Sequence, residues 1–288
     1  MRLGIDIGGT NISLGLLDKG QVVRFITVPS FKENSTMEQT LEYLSSQIRE
    51  IITPDTEMIG IGVPSVVDIN KGIVYETQNI PSWKEVHLKE YLEDRFGIPT
   101  AINNDANCYA MGVYGGFPEK NRPKDLVVIT LGTGVGIGIV HNGELFCGAN
   151  CGAGELCALP YGDSVLEDYC SKKFFSTYGW DSIEAAKAAE SKNPAALRLF
   201  EEFGKHMGAL LCAVMLAYDP SHITLVGGIA HNYPFFHKPM EEYIRENFPY
   251  TNSFERLTIG TATDASIPVL GATLLNTNTT LHNETDLD

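Results

Sequence analysis

Three glycine-rich turns, each directly after a short apolar strand, are the features of this chain best suited to chemistry: Gly8-Gly9-Thr10, Gly132-Thr133-Gly134 and Gly227-Gly228. Glycine reaches positive φ freely and lets backbone N–H groups close on an anion, and a threonine hydroxyl adds one more donor. One such turn is equally well a tight hairpin; three of them shift the weight towards anion binding. No GxxxxGKS/T pattern is present, which rules out a P-loop. The GxGxG at 132–136 runs into another strand rather than a helix, which counts against a Rossmann dinucleotide site.

The cysteines offer a second possible chemistry. Six are present, and four of them fall at Cys147, Cys151, Cys157 and Cys170. Their spacing has none of the paired CxxC knuckles of a common structural zinc site. With no export signal, reduced thiols are the default.

The elements that must position these groups follow from hydrophobic patterning. Residues 2–28 read as three short strands joined by the GGT turn and an Asp18-Lys19-Gly20 turn. Apolar residues at helical spacing predict a helix over 36–51, then a buried strand at 59–64 stopped by Pro64. A helix over 86–96, a strand over 98–104 and a helix over 105–115 follow, with Asp105 as the expected N-cap. A second start at residue 126 repeats the opening scheme, so that Ile129-Thr130-Leu131-Gly132 falls on Ile5-Asp6-Ile7-Gly8. A long helix over about 195–217 leads through Asp219-Pro220 to the strand before Gly227-Gly228. Strands alternating with helices, with the opening repeated, predict an α/β protein of two similar domains.

Composition narrows the partners. The chain of 288 residues carries 21 Lys+Arg against 36 Asp+Glu, a net charge of −15, and its isoelectric point is near 4.9. That balance disfavours non-specific nucleic-acid binding and adhesion to anionic membranes. No apolar run approaches the roughly 18 residues of a membrane span, and the opening residues do not read as a signal peptide. The expectation is a cytoplasmic protein with no nucleic-acid or membrane partner.

The motifs, in order, resemble those of the ROK family of sugar kinases and sugar-responsive repressors, within the actin-like ATPase fold. The blocks are GIDIGGTNISLGLLD (4–18), GIGVPSVVD (60–68), ETQNIPSW (76–83), INNDANC (102–108), VITLGTGVGIGIVHNGEL (128–145), GAGEL (152–156), ITLVGGIA (223–230) and VLGATLL (269–275). The resemblance implies a two-lobed ribonuclease H-like fold with the active site in the inter-lobe cleft. One lobe would be 1–118 joined by a C-terminal helix at 267–288, and the other 119–266. It also implies roles. Asp6, Gly8, Gly9, Thr10 and Asn11 would face nucleotide phosphates and Mg²⁺; Gly132, Thr133 and Gly134 would hold phosphates from the other lobe; Gly227 and Gly228 would pack against the adenosine. Asn79, Asn104, Asp105, Glu155 and Glu167 would bind sugar hydroxyls, with Ser65 narrowing the wall beside them. Asp105 would be the general base. Read from the residues alone, Asp105 is equally a helix N-cap, and Glu155 and Glu167 are solvated acids.

Two departures from the family pattern bear on function. ROK proteins commonly carry a histidine shortly after the Glu155 position and then a cysteine-rich loop, which together bind zinc. Here Ala158 stands at the histidine position and only YGDSVL separates Pro160 from Glu167. Losing the first shell as a whole predicts no structural zinc. The expected activity is ATP- and Mg²⁺-dependent phosphorylation, at O6, of a hexose such as glucose, fructose or an N-acetylhexosamine, by a homodimer as is common in the family. The alternatives are a weak or inactive sugar binder and a kinase for a non-hexose substrate. A repressor would carry a winged helix-turn-helix before Asp6, and the acidic charge also argues against one.

Overall fold

The computed structural model describes residues 1–77 and 79–276. It divides into two units: the first comprises 1–116, the short segment 148–152 and the described residues from 265 to 276, and the second comprises 117–147 and 153–264.

In the first unit, β1 (Arg2–Ile7), β2 (Asn11–Asp18) and β3 (Gln21–Pro29) form an antiparallel meander. Lys19 and Gly20 both have positive φ, 48° and 80°, the geometry that lets a two-residue turn follow the twist of its strands. Strands β4 (Met58–Val63) and β8 (Thr100–Asn104) then add in parallel on the other side of β1, giving the order β3-β2-β1-β4-β8. Helix α1 (Met37–Ile51) opens with a complete capping box between Thr36 and Gln39 and buries Leu41, Leu44, Ile48 and Ile51. A small sheet of β5 (Val66–Asp68), β6 (Ile73–Tyr75) and β7 (Glu85–Val86) lies between β4 and helix α2 (Leu88–Phe96). Val86, expected in a helix, is thus a strand residue paired with Val74; the helix waits until Leu88, which is fully buried. Helix α3 (Asp105–Gly116) follows β8 directly.

The terminal helix, Ile267–Thr273, is seated on this unit by glycines. A Cβ on Gly60 would lie 1.8 Å from the Ala272 carbonyl oxygen, and one on Gly271 would lie 1.7 Å from that of Cys108. Backbones this close leave no room for any side chain. The helix expected over 267–288 therefore accounts for seven residues, and 277–288 lie outside the described residues.

The second unit repeats the sheet plan. Strands β9 (Leu126–Leu131), β10 (Val135–His141) and β11 (Glu144–Leu145) form the meander, and β14 (His222–Val226) and β15 (Thr258–Ala262) add in parallel, in the order β11-β10-β9-β14-β15. Between β11 and β14 come the hairpin β12 (Pro160–Tyr161) and β13 (Ser164–Val165) and helices α4 (Leu166–Cys170), α5 (Lys172–Thr177), α6 (Ser182–Glu190) and α7 (Pro194–Tyr218). Helix α8 (Tyr233–Asn247) packs on α7, where Phe203 meets Phe236 edge to face at 5.2 Å, and α9 (Thr251–Arg256) precedes β15. Phe175, Phe200, Phe203, Met207 and Leu211 centre the core. Among the described residues, no helix is long and apolar enough to cross a membrane.

Candidate active site

Strands β1, β4 and β8 are parallel, so their carboxyl ends share one edge, where α/β proteins usually bind ligands. That edge brings Asp6, the Gly8–Asn11 turn, Ser65, Asn104 and Asp105 together. Asp6 pairs with Ser13 and Gly62 in the sheet. Burial, and secondly the charge of Asp105, push its carboxyl up to about 7. Both acids also act on Cys108, whose thiol is raised mainly by its own burial.

Two of the turn glycines, Gly134 and Gly227, leave no room for a side chain. Among the glycines of the turns at 8–10, 132–134 and 227–228, only Gly227 has a positive φ, 91°. A Cβ on Gly9 would stand 3.3 Å from the Asn79 side chain, which places Asn79 against the first turn. A Cβ on Gly134 would stand 2.7 Å from Glu167 Oε2, and one on Gly227 2.5 Å from the Leu131 carbonyl. Each of the first two turns closes on itself: Gly8 N–H donates to Asn11 O at 2.9 Å and Gly132 N–H to Gly134 O at 3.0 Å.

Asp105 is the first residue of α3, not its cap. Asn104 serves as the cap, its Oδ1 accepting the Ala106 N–H at 2.8 Å, while its Nδ2 donates to Ser65 O at 3.3 Å. Asp105 Oδ1 also accepts from Ala106 N–H, at 2.8 Å. The Ser65 hydroxyl donates to the Tyr75 carbonyl. Behind Asp105 lies a buried network that sequence reading did not single out. Asn103 Oδ1 accepts from Asn104 N–H at 2.8 Å, Asn107 Nδ2 at 2.9 Å and Cys151 Sγ at 3.3 Å. The asparagine-rich run INNDAN was its signal. A cavity of about 280 Å³, lined by Val66, Asp68, Ile69, Tyr75, Asn150 and Cys151 among others, opens in this unit. None of the candidate residues is in its wall.

The second unit gathers Gly132-Thr133-Gly134 with Glu167. Lys172 N–H donates to Gly132 O at 3.0 Å, Val135 N–H donates to Glu167 Oε2 at 3.3 Å, and Lys173 Nζ donates to Glu167 Oε1 at 2.6 Å. Lys173, absent from the sequence reading, also pairs with Asp168 at 3.0 Å. Glu155 opens a 3-10 turn (Glu155–Ala158) after Gly154, whose φ is 99°. Glu155 and Glu167 are brought to the same neighbourhood: Cys157, pushed up to about 12 mainly by burial, feels the charge of both. The hairpin between them is held by Tyr161, whose hydroxyl lies 3.1 Å from His206 Nδ1. Among the described residues, no group of three or more His, Cys, Asp or Glu side chains is placed to hold a metal ion.

The chain belongs to the ROK family, whose model matches residues 2–278. Its α/β architecture is that of the actin-like ATPases, shared with solved ROK sugar kinases. It is 25% identical over 280 residues to a glucokinase of Halalkalibacterium halodurans, covering 84% of each chain. It is 29% identical over 278 residues to an N-acetyl-D-glucosamine kinase of Vibrio parahaemolyticus, covering 85% of this chain and 89% of that one. The crystal structure of a ROK family glucokinase from Streptomyces griseus, in complex with glucose and AMPPNP, superimposes with a TM-score of 0.77 at 25% identity, covering 94% and 97% of the two chains.

Proposed function

We propose that this protein is a sugar kinase that transfers the γ-phosphate of ATP to a hexose hydroxyl, with Asp105 as the general base. The observation that carries this reading is the pair of acids Asp6 and Asp105 at the carboxyl edge of the first sheet, coupled closely enough for Asp105 to help raise Asp6. Its relatives among glucokinases and N-acetylglucosamine kinases support a sugar as acceptor.

Asp105 accepts the proton of the attacking hydroxyl as its oxygen bonds to the γ-phosphorus and the bond to the β-phosphate oxygen breaks, releasing ADP. A positioned base contributes roughly 10²–10⁴-fold. Asn104, held by Ala106 and Ser65, orients the chain at that carboxylate, and Asn79 would give its amide to a sugar hydroxyl. Glu155 and Glu167 supply carboxylates for further hydroxyls, since each buried hydroxyl needs a partner. The Gly8–Asn11 and Gly132–Gly134 turns would take the phosphates, and Gly227-Gly228 the adenosine. The donor set suits Mg²⁺, which typically takes one or two carboxylates with phosphate oxygens and water. Asp6, destabilised as a carboxylate by burial and by Asp105, is the residue a cation would relieve. Mg²⁺ there would neutralise the phosphates and the charge that develops in transfer.

The test is ADP release with MgATP across glucose, fructose, mannose and N-acetylhexosamines, with Asp105→Asn as control. Turnover with one sugar that vanishes in the control supports the proposal. Silence across the panel with a folded protein refutes it. A second reading, a sugar binder with weak or no turnover, is favoured by Glu167 being tied to Lys173 and Val135. Its mark would be sugar-dependent thermal stabilisation without ADP release.

A further inference from the structure

The Gly132–Gly134 turn is bordered by a carboxylate, which is a poor neighbour for a phosphate. Glu167 Oε2 accepts the Val135 N–H and lies 2.7 Å from where a Gly134 Cβ would be. Left alone, that charge would repel an arriving polyphosphate.

Lys173 changes the balance. Its ammonium is 2.6 Å from Glu167 Oε1 and 3.0 Å from Asp168 Oδ1, and its side chain is 51% exposed. An ammonium has three donors; the two carboxylates engage two, which leaves one for a ligand. The backbone that carries this side chain is itself tied to the turn. The N–H of Lys172, the preceding residue, donates to Gly132 O at 3.0 Å. The Ser171 hydroxyl, with Ser171 fully buried, accepts the Lys173 N–H at 3.2 Å. Turn, carboxylate and cation therefore form one frame. Asp168 is kept below its usual carboxyl range by the Ser164 hydroxyl and then by Lys173, so the lysine is anchored on two sides.

We propose that Lys173 is the phosphate-binding cation of the second unit, giving its third N–H to a non-bridging oxygen of the β- or γ-phosphate of a nucleotide held at Gly132–Gly134. Glu167 and Asp168 hold the ammonium without neutralising its remaining donor, and a compact point charge suits a phosphate oxygen. The ligand class is a nucleoside di- or triphosphate; a monophosphate has neither a β- nor a γ-phosphate. The inference rests on the kinase reading, because that reading supplies the nucleotide.

Calorimetric titration without sugar, using MgATP, MgADP and AMP against the wild type, Lys173→Met and Lys173→Arg, tests it. Loss of one charge-assisted contact predicts about 10- to 100-fold weaker MgATP and MgADP binding to Lys173→Met, with AMP binding changed less than about twofold. Lys173→Arg should restore most of the loss, and melting temperatures should match because the side chain is half exposed. Unchanged MgATP binding to Lys173→Met overturns the role of Lys173 alone, as does an equal loss for ATP and AMP. A folded wild type that binds no adenine nucleotide overturns the kinase reading and this inference together.

Discussion

Asp105 lies near enough to Asp6 for its charge to add to the burial that raises the Asp6 carboxyl to about 7. Between pH 4 and pH 7 the folded protein thus holds a proton on Asp6 that the unfolded chain has released. Stability from this group falls as pH rises through that window, by about 4 kcal/mol in all at 1.36 kcal/mol per unit. Asp6→Asn removes the slope. Urea denaturation should find the variant more stable than the wild type at pH 8 and no more stable at pH 4. Equal differences at the two pH values would contradict the raised Asp6 carboxyl.

Asp105→Asn should lower turnover by about 10²–10⁴-fold while sugar affinity stays within a few-fold. Turnover assays and sugar titrations on one preparation separate the two effects. Appreciable residual activity would remove Asp105 as the base.

Asn104→Ala should cost about 1 kcal/mol through loss of the α3 cap, besides any effect on sugar binding. Asn104→Ser, which keeps a capping oxygen, should recover the stability and not the sugar affinity. Chemical denaturation of both variants checks this.

The six thiols should differ widely in reactivity. Cys108 and Cys170 are fully buried and raised well above the usual thiol range; Cys157 is pushed to about 12 and Cys212 to about 11, mainly by burial. Cys151 is buried in the Asn103 network. Cys147, partly exposed, should account for the fast phase with an aromatic disulfide reagent at pH 8. A fast phase that survives Cys147→Ser would disprove the assignment.

Gly60→Ala should be severe, at about 3 kcal/mol or more, because the new methyl meets the Ala272 carbonyl at 1.8 Å. Gly116→Ala, with nothing within 4 Å, should be neutral or gain up to about 1 kcal/mol. Thermal melts of the pair give the comparison.

Much of the plan was legible where local chemistry and burial agree. The Asp18-Lys19-Gly20 turn, the Thr36 start of α1 and the buried stripe of α7 all follow from residue types a few positions apart. The repeated opening was legible as well: Thr130 occupies in β9 the place of Asp6 in β1, and the two sheets have the same strand order. Contacts distant in sequence were not readable. Val86 reads as helical until its partner Val74 is known. Asp105 looks like a cap until the Asn104 amide is seen to take the Ala106 N–H. Lys173 reads as one surface lysine among others, because the carboxylate it neutralises matters only beside Val135, 32 positions from Glu167.

The glycine seating of Ile267–Thr273 sets an order of assembly. Its partners, Gly60 in β4 and Cys108 in α3, leave the ribosome more than 150 residues before the segment that covers them. When residue 267 emerges, the second unit, continuous apart from the segment 148–152, already has all its strands, while the face of the first sheet that Val269 and Ala272 will bury is still open to water. The unit whose strands come first in this sequence is therefore the last to be finished. A chain stopped before residue 267 would carry both sets of glycine turns and still leave an apolar sheet face uncovered, open to chaperones and proteases.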